Sequence, residues 1–102
     1  MKQKVAVSRS HNDAVVQELR GDPKLAAEYL RAAMEDADEP QVLLVALRRI
    51  AEANGGVARV AKAAGIQRES LYRALSAKGN PRWSTLLAVT RVVGLKLTVE
   101  AM

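Results

Sequence analysis

Apolar residues recur along this chain at helical spacing, and Gly, Pro and Asn interrupt them at intervals that suit short helices. Val15, Val16 and Leu19 mark a first helix over residues 13–20, with Ser10 or Asn12 available as its cap and Gly21 as its terminator. Asp22 followed by Pro23 is a strong start for a second helix. The carboxylate accepts free N–H groups, and proline at the first helical position gives up no hydrogen bond. This helix is expected to reach about residue 37, with Leu25, Tyr29, Leu30, Ala33, Met34 and Ala37 inward and the pairs Lys24/Glu28 and Arg31/Glu35 outward.

Asp38-Glu39-Pro40 opens a third helix whose core stripe is Leu43, Ala46, Leu47 and Ile50, and Asn54-Gly55-Gly56 closes it. Residues 57–76 then read as two short helices joined by a tight turn, the pattern of a helix-turn-helix. Val57, Val60, Ala61 and Ala64 face inward on the first of these, and Ala61 is small enough to admit a close crossing. Gly65 bends the chain, Ile66 plugs the turn, and Leu71, Ala74 and Leu75 form the buried side of the second. Ser84 is read as the cap of a last helix carrying Leu86, Leu87, Val89 and Val93, ended by Gly94; Trp83 is read as a staple against Ala88. In residues 95–100 the period changes to two: Leu95, Leu97 and Val99 alternate with Lys96, Thr98 and Glu100, as in a strand with one buried face. A lone strand leaves its backbone groups unpaired, so pairing with a second copy, hence a homodimer, is expected.

The fold class is therefore all-α, five to six short helices with one short C-terminal strand. At 102 residues a single domain is expected: an N-terminal arm over 1–12, an acidic helical segment over 13–39, a helix-turn-helix core over 40–94 and a tail over 95–102.

Charge sharpens this division. Residues 13–39 hold eight acidic side chains against three basic ones, whereas residues 41–102 hold ten basic against three acidic, so the two parts sum to −5 and +7. A polyanion is attracted to the second part and repelled by the first, and different partners are expected on different faces. The chain has no cysteine and one histidine, His11, which argues against disulfides, thiol chemistry and most zinc sites. Neither a signal-peptide core nor a membrane span is visible, and a cytoplasmic location is expected. No catalytic residues, metal or cofactor are assigned, because His11 has no neighbouring nucleophile and the glycine clusters are turns rather than phosphate loops.

The helix-turn-helix pattern leaves Gln67, Arg68, Glu69, Ser70, Tyr72 and Arg73 on or near the exposed side of the helix that such motifs insert into the major groove. Arg68 and Arg73 suit guanine, Gln67 suits adenine, and Glu69 suits a cytosine amine or the helix N-terminus itself. Arg59, Lys62, Lys78 and Arg82, on the preceding helix or following loop, suit phosphate oxygens.

Residues 19–99 resemble the HigA-like family of probable addiction-module antidote proteins, small antitoxins with a lambda-repressor-like fold. The resemblance is carried by AAEYLRAAMED at 26–36, ALRRIAEANGG at 46–56 and, most specifically, AGIQRESLYRALSAKGNPRWSTL at 64–86. It implies a partner toxin of the RelE/ParE superfamily, usually encoded immediately upstream, and repression of the shared operon through a double-stranded DNA operator. The same six residues, Gln67 to Ser70, Tyr72 and Arg73, occupy the family's recognition positions. The acidic segment is the expected toxin-facing surface, with Glu18, Glu28, Glu35 and Asp36 as its candidates, since opposite charge steers association with a basic toxin. Two alternatives stand beside this reading: a regulator without a toxin, and a toxin-binding protein that does not touch DNA.

Overall fold

The computed structural model describes residues 2–35 and 38–102, with side chains in the first helix from His11 onward. Six helices follow one another: α1 (Lys2–Leu19), α2 (Pro23–Glu35), α3 (Pro40–Ala53), α4 (Val57–Ala64), α5 (Arg68–Ala74) and α6 (Trp83–Val92). Helix α3 is central, packing against α1, α2 and α4, while α4 also supports α5 and α6. That position explains why α3 buries residues on several faces, Leu44, Ala46, Leu47, Ile50, Ala51 and Ala53, rather than one stripe. Leu44 is buried and the expected Leu43 only half-buried.

The second helix starts as its sequence dictates. Pro23 is its first residue, and the Asp22 carboxylate accepts the Leu25 N–H at 3.0 Å, the geometry of a side-chain cap. Its buried row is Ala26, Leu30 and Ala33, so the helix is turned slightly from the expected stripe, leaving Leu25 and Tyr29 half-buried and Met34 49% exposed. Neither Lys24/Glu28 nor Arg31/Glu35 closes into an ion pair; among the described residues the pairs are Arg48–Glu52 and Arg68–Glu69. Ala37 and Asp36 lie outside the described residues.

Three expectations are corrected. Helix α1 begins at Lys2 rather than near residue 13, because residues 2–12 contain neither Gly nor Pro and nothing in them interrupts a helix; their polar composition hid it. Asn12 accordingly sits within the helix, and its side-chain oxygen receives Nε of Arg49 at 3.0 Å instead of capping. Helix α6 begins at Trp83, with Arg82 at the cap position and no side-chain cap, so Ser84 lies inside the helix and Trp83, 63% exposed, is not a buried staple.

The third correction concerns the tail. Among the described residues there is no strand, and residues 95–102 are irregular. The segment lies along α2, where Leu95, Lys96, Leu97, Thr98 and Glu100 face Ala27, Leu30 and Met34 across a cleft of about 360 Å³. Leu95 packs on the core and Leu97 is half-buried, but Val99 is 97% exposed. The alternation therefore holds only while α2 supplies apolar surface, and within one chain no second strand exists to receive the backbone hydrogen bonds.

Candidate nucleic-acid interface

The site is built on a short rigid corner. Helix α4 ends at Gly65, which takes the left-handed conformation (φ 73°, ψ 30°) that side chains disfavour. The Ile66 N–H then reaches back to the Ala61 carbonyl at 2.9 Å and the Gly65 N–H to the Lys62 carbonyl at 3.2 Å, which satisfies the end of the helix and turns the chain by the shortest route. Gln67 occupies the cap position of α5 in extended conformation, its carbonyl accepting the Leu71 N–H at 3.0 Å, while its side-chain amide makes no capping bond.

Helix α5 is anchored by one side. Leu71 is fully buried, Leu75 is 1% exposed just beyond the helix, and Val60 and Ala61 of α4 are buried beneath the same cluster. Burial of each leucine contributes roughly 1.5–3 kcal/mol to holding the helix in place. Helical geometry then directs the remaining side chains outward, and all six expected base-reading residues, Gln67, Arg68, Glu69, Ser70, Tyr72 and Arg73, are exposed. Arg68 and Glu69 lie 3.6 Å apart in the open, a pairing that water and salt screen and that leaves the guanidinium available. Glu69 also falls in the first turn, where the helix dipole favours an anion.

Of the four expected phosphate contacts, Lys62, Lys78 and Arg82 are exposed cations without ion-pair partners among the described residues. Arg59 is different. Although exposed, it donates from Nη1 to the Asn54 carbonyl at 2.8 Å, lies over Gly55, and so serves in closing α3. The loop between α5 and α6 is fixed by close approach: the Gly79 N–H donates to the Ser76 carbonyl at 2.9 Å, and the Ser76 hydroxyl donates to the Arg73 carbonyl at 2.8 Å.

Two arginines on α3, Arg48 and Arg49, have contacts that no sequence pattern announces. The Arg48 guanidinium lies 5.9 Å from the Tyr72 ring centre and pairs with Glu52 at 3.4 Å, steadying the exposed face of α5 from beside it. Arg49 joins three helices, donating to Asn12 of α1 and, from Nη1, to the Tyr29 hydroxyl of α2 at 2.9 Å. Their spacing places them off the main apolar stripe, the one available signal, but it names no partner. Of the acidic candidates, Glu18 lies on α1 and Glu28 and Glu35 on α2, seven residues apart and hence on one face; all three are exposed, and Asp36 is outside the described residues.

The family described as probable addiction module antidote protein matches residues 11–101, which include every described residue of this interface. The chain belongs to that family. A protein of Haemophilus influenzae, itself uncharacterized, is 38% identical over 72 residues, covering 71% of this chain and 72% of that one. No solved structure matches. Membership assigns the chain a toxin–antitoxin role, as the antidote of an addiction module. No helix among the described residues is long and apolar enough to cross a membrane.

Proposed function

We propose that this antidote is a sequence-specific DNA-binding antitoxin. It neutralises a toxin of the RelE/ParE type and, as a homodimer on a pseudo-palindromic operator, represses the operon that encodes both. Helices α4 and α5 act as a helix-turn-helix of the lambda-repressor kind, with α5 entering the major groove. The observation that carries the reading is the row from Gln67 to Arg73, wholly exposed apart from Leu71, which is fully buried beneath it. A helix so anchored fixes the backbone from which these donors project, so that binding has to order side chains and not the helix, and the exposed cations Lys62, Lys78 and Arg82 supply the non-specific attraction.

A mobility shift on the antidote's own promoter, in excess competitor DNA, tests the proposal. Arg68→Ala and Arg73→Ala should each lose discrimination equivalent to about 1–3 kcal/mol and relax the preference for one base. Lys62→Ala should instead weaken binding to all sequences and reduce the slope of log affinity against log salt by about one. Absence of a competitor-resistant shift by the wild-type chain would refute DNA recognition, and identical behaviour of the two kinds of variant would refute the division of roles.

A further inference from the structure

Helices α2 and α3 do not close on each other along their whole length. Between them runs a groove of about 400 Å³, lined by Tyr29, Ala32 and Ala33 on one side and Val42, Val45 and Ala46 on the other. Its walls are apolar and its outer edge is open, since Ala32 is exposed and Val45 is 38% exposed. Arg49 closes one end, fixed there by its bonds to Asn12 and Tyr29, so the groove is held by a three-helix clamp rather than left to collapse.

The surroundings are anionic. Ala32 shares its face of α2 with Glu28 four residues before and Glu35 three residues after, and both carboxylates are exposed and unpaired among the described residues. Exposed Asp38 and Glu39 lead into α3 beside the groove's Gln41. We infer that this groove is where the toxin docks, inserting an apolar segment flanked by Lys or Arg. The apolar side chains would occupy the space between Ala32 and Val45, and the cations would lie outside it against Glu28 and Glu35, away from Arg49. This inference rests on the antitoxin reading and gives it a surface; Glu18, on α1, is not part of it.

A second copy of this chain is a poorer occupant. Symmetric association must satisfy the carboxylates of each copy with cations from the other. Arg49, the cation that lines the groove, is already engaged by Asn12 and Tyr29, which leaves the exposed Lys24 and Arg31 of α2 to answer four exposed carboxylates, Glu28, Glu35, Asp38 and Glu39, in each copy.

Calorimetric titration of the purified antidote with the toxin of its own addiction module tests the inference. Ala32→Arg and Val45→Lys, both at exposed positions, should each lower toxin affinity at least ~10-fold while operator binding and thermal melting stay at wild-type values; such an effect corresponds to about 1.4 kcal/mol. Val45→Ile should retain binding. The double variant Glu28→Lys, Glu35→Lys should weaken binding at low salt and flatten its salt dependence. Wild-type affinity in Ala32→Arg and Val45→Lys would overturn the groove and leave the antitoxin reading intact, whereas a wild-type chain that fails to bind the toxin would overturn both. Sedimentation velocity adds the remaining arm: loss of self-association in Ala32→Arg with toxin affinity unchanged would assign the groove to a second copy and overturn the inference.

Discussion

Gly65 and Gly79 flank the same helix and are glycine for opposite reasons. At Gly65 a side chain would have open space around it, but the backbone is left-handed, φ 73°. At Gly79 the backbone is ordinary, yet a Cβ would fall on the Ala74 carbonyl oxygen, a main-chain atom that cannot swing aside. Gly65→Ala should therefore cost about 1–2 kcal/mol from left-handed strain. Gly79→Ala should cost about 1–3 kcal/mol as overpacking and should also displace the loop that carries Lys78 and Arg82. Thermal melts would show a loss in both variants. Salt titration of DNA binding should separate them, with the phosphate slope reduced in Gly79→Ala only; equal slopes would mean that the loop absorbs the extra carbon without moving.

At the scale of elements, the legible parts were those with strong local punctuation. Asp22-Pro23 set the start of α2, and Gly65 with the apolar rows of α4 and α5 set the corner of the candidate site. Illegible parts depended on neighbours. The polar run of residues 2–12 gives no periodicity to detect, Ser84 competes with Arg82 for one cap position without a local rule to choose, and an arginine's partners 37 and 20 residues away leave no spacing in the sequence. Arg49 is the element-scale consequence of this last kind. Replacing it by Met would remove the bonds that fasten α1 and α2 to α3, and the loss should be about 1–3 kcal/mol by urea unfolding, at roughly 1 kcal/mol per hydrogen bond. Arg49→Lys should recover less than half, because one ammonium lacks the fork that reaches Asn12 and Tyr29 together. A cycle with Tyr29→Phe measures the coupling directly, and additivity of the two changes would show that the bond to the hydroxyl adds nothing to stability.

Across the whole molecule the tail is the part least committed to its own chain. Leu95 is half-buried against the core, and its N–H donates to the Thr90 carbonyl at 2.8 Å across Gly94, but beyond it only Leu97 is half-buried and Val99 stands free. A segment whose backbone joins no ladder among the described residues is open to pairing with another chain, and we propose that the homodimer would use it in that way. Truncation after Leu95 keeps the helix-ending bond, so the monomer's stability should fall by no more than ~1.5 kcal/mol, the scale of one partly buried leucine. The truncated chain should nevertheless sediment as a monomer, and its affinity for a two-half-site operator should drop toward that for a single half-site, because the coupling between two recognition helices is then lost. Toxin affinity should be largely retained, since the lining of the α2–α3 groove is separate from that of the tail's cleft and, of the proposed toxin surface, Glu35 alone borders the tail. Unchanged sedimentation would place the dimer contact elsewhere on the molecule; retained sedimentation with lost toxin binding would instead make the tail part of the toxin surface.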